Sequence, residues 1–160
     1  MDVITRQYEW VQQTREILFQ YCENMTLEDY TKEVDVFGGA AIRDLHAHVA
    51  GCYQHWLGNI ALKKSLHKVE LDSMKDVAEM RQLFKETDKL VYEFLNNYEG
   101  RWDHEISREV SWQEEPVEYT TLWLITHTIT HEFHHKGQIV KLGRSLGYHP
   151  PDTDLLEPGG

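Results

Sequence analysis

Cysteine is scarce in this chain: Cys22 and Cys52 are the only two, and they form no CxxC pair. Neither a disulfide scaffold nor a zinc ribbon is built from such a set. Long apolar runs are missing as well, and nothing approaches the ~20 consecutive apolar residues of a membrane-spanning helix. The opening MDVITRQYEW lacks the basic start and apolar core of a secretory signal. Positive charge is the third shortage: 16 Lys and Arg stand against 27 Asp and Glu, a formal net charge of −11. That excess works against unspecific binding to nucleic acid or to an anionic membrane surface. The expectation is a cytoplasmic protein without either partner. A length of 160 residues suits one domain, 1–160, able to close a hydrophobic core.

Histidine, by contrast, is plentiful, with ten residues, six of them after position 100. Their setting is a chain of amphipathic helices. Residues 4–23 carry Ile4, Tyr8, Val11, Leu18 and Cys22 at three-, four- and seven-residue spacing. Thr26 before Leu-Glu-Asp marks a short capped turn, and Phe37-Gly38-Gly39-Ala40 a loop. A second helix is expected over 41–64, with Ile42, Leu45, His48 or Val49, Cys52, Trp56 and Ile60 inward. A third starts at Ser73, with Asp76 in a capping-box-like place, and ends at Gly100. Residues 101–118 alternate in character and read as a short hairpin or an extended crossover, closed by Pro116. A fourth helix spans 119–146, with Gly147 placed to end it and Pro150-Pro151 unable to continue it. The tail from 148 to 160 is expected to be extended and partly disordered. Four long helices with one long non-helical connection before the last describe an all-α four-helix bundle.

The segment His127–Gln138, HTITHEFHHKGQ, places His127, His131 and His135 at successive intervals of four, along one stripe of a helix. Flanking apolar residues suggest that the stripe faces inward, where imidazoles need partners for their ring nitrogens. A metal ion supplies them most economically. A pair at i and i+4 can meet one ion, as His127 with His131 or as His131 with His135. A further ligand should come from a facing helix, and His48 points with the core stripe of helix 2. His46, rotated about 160° from it, should be exposed. His55 and the thiol of Cys52 are weaker alternatives. Three neutral imidazoles leave positions open for water or substrate, and they suit zinc or nickel, with iron, copper or manganese as alternatives.

Residues 131–135 also satisfy HExxH, in which Glu132 would be a general base. Lys136-Gly137-Gln138 does not continue the longer protease pattern, and no convincing sheet precedes the helix to hold a substrate strand. A role for Glu132 beside the ligands, orienting them, is the alternative.

At these residues the chain resembles the DinB/YfiT-like superfamily. Its closing signature is similar to His131-Glu-Phe-His134-His135-Lys136-Gly137-Gln138-Ile139 followed by Gly147 and Pro150-Pro151-Asp152, and its helix-2 segment to Ile42–Val49. The resemblance implies an up-down-down-up bundle, commonly a homodimer, with a divalent metal held by three histidines. Carried over by motif position, these are His48, His131 and His135, which leaves His127 an extra histidine one turn upstream; His127, Trp56 and Cys52 are expected to line the pocket. Lys136 stands where Arg is more frequent. Relatives in the superfamily include transferases and isomerases that use low-molecular-weight thiols. The expected activity is therefore metal-dependent transfer of a small thiol to an electrophile. The alternatives are a non-enzymatic, stress-associated metal-binding dimer and a metallohydrolase using metal-bound water.

Overall fold

A computed structural model describes residues 2–155. Helices dominate it, joined by one small antiparallel sheet. Helix α1 (Val3–Glu23) buries Tyr8, Val11, Arg15, Leu18 and Cys22, a seam at helical spacing with one charged member. A single turn, α2 (Leu27–Tyr30), follows, with the Thr26 side chain accepting from the Asp29 N–H at 3.1 Å. Helix α3 (Ile42–Tyr53) comes next and passes directly into a π-helical stretch, Gln54–Ala61. Helix α4 (Val77–Tyr98), strands β1 (Glu105–Arg108) and β2 (Val117–Thr120), and helix α5 (Thr121–Ser145) complete the described chain. Helix α3 packs against both α4 and α5, and α1 against the same two. Tyr8, Ile42, Tyr53, Phe84, Phe94 and Leu124 are among the side chains fully buried between them.

Local chemistry sets the element ends. Helix α4 starts at Asp76, whose carboxylate accepts from the Glu79 N–H at 2.8 Å while Glu79 accepts from the Lys75 N–H at 2.8 Å. Ser73 is not the cap, since its hydroxyl is spent on the Glu70 carbonyl. The segment expected as hairpin or crossover is a hairpin, pairing Glu105 with Thr120 through Arg108 with Val117. It leads straight into α5: the last residue of β2, Thr120, accepts from the Trp123 N–H at 3.1 Å as N-cap. The far end of α5 closes with Gly147 at φ 97°, Tyr148 N–H to Gly143 C=O and Gly147 N–H to Arg144 C=O, both 3.0 Å. These are the paired bonds of a Schellman motif. Gly143 is also where α5 meets α1, for a Cβ there would lie 2.3 Å from the Tyr21 hydroxyl oxygen.

Two expectations need correction here. The second helix is not one α-helix to Lys64. Its backbone widens after Tyr53, so that the Leu62 N–H reaches the Leu57 carbonyl five residues back, and Lys63 (φ 55°) turns the chain away. The histidine stripe of α5 does not face the core either: Thr128, Glu132, Lys136, Ile139 and Leu142 do, and the histidines lie about 100° round the helix, half-exposed or exposed. Of the expected extended tail, 148–155 has no regular secondary structure. The Lys136 ammonium donates to the Thr153 carbonyl, and the Thr14 hydroxyl to the Asp154 carbonyl at 3.4 Å, tying it to α5 and α1. Residues 156–160 fall outside the described part. No helix among the described residues is long and apolar enough to cross a membrane.

Candidate metal centre

Helix α5 presents His131 and His135 one turn apart, and α3 runs beside it with His48 facing them. The Nε2 atom of His131 lies 3.1 Å from Nε2 of His48 and 3.1 Å from Nε2 of His135. Ring planes are inclined by 54°, 89° and 70° for the pairs 48/131, 48/135 and 131/135, so the rings splay around a shared point instead of stacking. All three ligand atoms fall within 4.8 Å of one another, close enough to hold one metal ion. Tetrahedral ligands at 2.0–2.1 Å from zinc would stand about 3.4 Å apart, so little movement separates this arrangement from a bound one.

The hydrogen-bonding pattern fits the same reading. Nδ1 of His135 donates to Oε1 of Gln138 at 2.7 Å, which leaves the Nε2 lone pair pointing into the cluster. Among the described residues Nδ1 of His131 is buried without a hydrogen-bond partner, so no such bond there sets that ring. Burial lowers the pKa of each of the three, that of His131 to about 4, where the surrounding imidazoles add to the effect. Neutral rings with convergent lone pairs are the form a cation binds.

The geometry of α3 reverses one expectation and rescues its consequence. His46, expected at the surface, is buried between Phe19 and Phe84, with Nδ1 3.0 Å from the Tyr30 hydroxyl. His48, expected in the core, is exposed at the rim. The reason is that Ile42, Val49 and Tyr53 define the core seam, and Leu45, taken as its anchor, is only half-buried. The rim is nevertheless where α3 faces the histidines of α5, so His48 still meets them.

The remaining residues singled out from the sequence fall beside the cluster. His127 stands apart, its ring stacked on Trp123 at 4.8 Å and 4° and 6.1 Å from that of His131. With Trp56 and Cys52 it lines a cavity of about 430 Å³ that opens between α3, the π-helical stretch, α5 and the 66–71 loop and reaches His48 and His131. A larger open hollow of about 910 Å³ lies on α4, around Lys85, Asp88 and Tyr92, and has no histidine in its lining. Burial, with Glu132 adding to it, pushes the Cys52 thiol up to about 12, so near neutral pH it is a protonated thiol and a poor ligand. His55 is exposed, set against Trp56 outside the cluster.

Glu132 turns away from the histidines. Its carboxylate is buried, accepting from Arg15 at 2.6 and 3.0 Å and from the Tyr53 hydroxyl at 2.5 Å. Arg15 also donates to Asp88 at 2.7 Å, and Asp88 accepts from the Tyr8 hydroxyl at 2.5 Å. No hydrogen bond joins Glu132 to His131 or His135 among the described residues; the group that orients a histidine is Gln138. The i, i+3 spacing of His135 and Gln138 was the available signal for that contact. Nothing local in the sequence marks Arg15 as the partner of Glu132.

No curated protein matches the chain. The family model described as DinB family matches residues 1–158, and the chain belongs to that family.

Proposed function

We propose that His48, His131 and His135 hold one divalent ion, zinc or nickel, and that the protein transfers a low-molecular-weight thiol to an electrophilic substrate. The observation that carries this reading is the convergence of three neutral Nε2 atoms beside an open cavity of about 430 Å³. A closed structural site would place a fourth protein ligand there, and none accompanies the three histidines in the cluster among the described residues. A divalent ion, when bound, lowers the pKa of a thiol and so raises its thiolate fraction near neutral pH.

The chain itself contributes position and shielding. Gln138 holds the His135 ring by Nδ1, and the Trp56 and His127 rings wall the cavity beside His131, with Trp123 stacked on His127. In the transfer, the thiol gives its proton to water and its sulfur bonds to the electrophilic carbon. The bond from that carbon to the leaving group breaks, and the leaving group keeps the electron pair. The same reading takes α1, α3 with its π-helical extension, α4 and α5 as the four members of an up-down-down-up bundle forming one domain, a homodimer in the cytoplasm. The packing of α3 and α1 on both α4 and α5 supports the bundle, and the family resemblance supports the dimer.

A panel of small thiols against a generic aryl halide electrophile tests the activity. Turnover that requires both metal and thiol is expected. Metal-dependent turnover without thiol would instead favour hydrolysis, and no turnover with any thiol would leave a non-enzymatic metal-binding protein.

A further inference from the structure

Carboxylates outnumber cationic side chains by 27 to 16 in this chain, yet none of the described residues lining the histidine cavity is an Asp or Glu. Its charged and titratable lining consists of Lys68, Cys52 and five histidines, two of them from the metal cluster. A second cation stands at its edge. Arg108, the last residue of β1, lays its guanidinium over the Trp56 ring at 5.4 Å from the centroid. Neither Arg108 nor Lys68 takes part in an ion pair among the described residues. Arg6, Arg15, Arg43, Lys64, Arg81 and Lys89 do, and of the ten Lys and Arg residues without such a pair among the described residues, Lys68 lines this cavity and Arg108 stands against its Trp56.

Flat rings stand between Arg108 and the histidine cluster. Trp56 abuts His127 at 5.0 Å, and Leu66, Val69 and Leu71 add apolar surface to the same lining. From Arg108 the path to the cluster runs over Trp56 and His127 to His131. A volume of about 430 Å³ lies within the range of small-molecule sites, ~300–1,000 Å³. An anion in this cleft has Lys68 in the lining, Arg108 against Trp56 and no carboxylate among the described lining residues, whereas the chain's net charge of −11 repels it elsewhere. A carboxylate against a guanidinium makes the stronger, charge-assisted class of hydrogen bond.

We infer that the cavity selects a small organic anion, a carboxylate on a flat apolar body, with Arg108 and Lys68 as the residues that set the preference. This rests on the transferase reading only in making that anion a substrate; the charge selectivity is a property of the cavity itself. It also assigns a use to the β1–β2 hairpin, which delivers Arg108 to the rim before turning into α5.

Benzoate and its neutral isostere benzamide are the probes, titrated into the protein as purified and followed by tryptophan fluorescence. Benzoate should bind about tenfold tighter at low salt, with the margin shrinking as salt is added. In the Arg108→Gln/Lys68→Gln double variant the margin should vanish through loss of benzoate affinity, benzamide being unaffected. Arg108→Lys should restore part of it. The His131→Ala variant separates the two readings, for it should keep the benzoate margin whatever becomes of the metal. Equal affinity for the two probes, binding of neither, or a margin that survives the double variant would overturn the inference. A margin lost in His131→Ala but kept in the double variant would assign anion binding to the metal and overturn it equally.

Discussion

Arg15 and Glu132 form a buried, two-pronged ion pair, Nε to Oε1 at 2.6 Å and Nη2 to Oε2 at 3.0 Å, joining α1 to α5 at the residue after His131. Tyr53 of α3 donates to the same carboxylate, so one side chain fixes three helices relative to each other. With side chains only 4% and 9% exposed, solvent screens this pair little. Removing Arg15 strands the buried Glu132 carboxylate, at a cost of about 3–5 kcal/mol, whereas removing Glu132 leaves Arg15 its bond to Asp88 and costs less. Arg15→Met should destabilise the protein on that scale in urea unfolding, and Glu132→Leu by less. The double variant should recover much of the Arg15→Met loss, because no Glu132 carboxylate is then stranded. Additive losses in the double variant would show that the two residues act separately.

Gln138 touches the proposed site from outside. Its bond to Nδ1 of His135 fixes that ring's tautomer and direction, and removing such a partner typically weakens metal affinity 10- to 100-fold. Gln138→Leu should show that loss in a zinc titration, with little change in melting temperature since the side chain is half-exposed. Affinity equal to that of the unaltered protein would mean that the contact does not orient the ring.

His127 separates geometry from sequence spacing. It sits in register with His131 and His135 but stacks on Trp123, outside the cluster. His127→Ala should leave metal stoichiometry intact and alter turnover through the cavity wall. A loss of metal would place it among the ligands.

His46 gives stability a pH dependence that the metal does not supply. Burial, helped by Arg15, lowers its pKa to about 3, below the ordinary value near 6.5. The folded form therefore excludes a proton that the unfolded chain takes up, and stability falls as pH drops from about 6.5 toward about 3. At pH 5 the loss is about 2 kcal/mol from this residue. Replacing the pair, His46→Phe with Tyr30→Phe, should flatten the stability profile between pH 7 and 5 by that amount, measured by urea unfolding at each pH. An unchanged slope would refute the assignment.

Gly143 admits no side chain where α5 crosses α1. A Cβ would lie 2.9 Å from the Met25 terminal methyl as well as against the Tyr21 hydroxyl. Gly143→Ala should cost about 1–3 kcal/mol through overpacking, despite the better helix propensity of alanine. A stabilised variant would show that Tyr21 and Met25 yield freely.

Features with a local cause were legible in the sequence. The four-residue spacing of His131 and His135, the turn at Gly147 and the alternating stretch that became the hairpin follow from backbone periodicity and turn chemistry. Side-chain direction on α3 was not, because Ile42, Leu45, Val49 and Tyr53 offer two overlapping apolar seams, and packing on both α4 and α5 chooses between them. His48 was paired with His131 and His135 for the wrong reason: it meets them at the rim, not in the core. The change to π-helical bonding after Tyr53 has no compositional mark. Nor does the Arg15–Glu132 pair, whose partners are 117 residues apart in the chain. Without it, Glu132 reads as a base beside a metal, when its carboxylate is committed to holding the helices.

The most direct test of the metal centre is elemental analysis of tag-free protein after equilibration with zinc or nickel and removal of unbound ion, comparing the unaltered chain with His48→Ala. His48 is exposed, so its loss should spare the fold while removing the only proposed ligand outside α5. The account predicts one equivalent of metal per chain in the first and a small fraction of that in the second. No metal in the unaltered protein, or one equivalent retained by a folded His48→Ala variant, would contradict it.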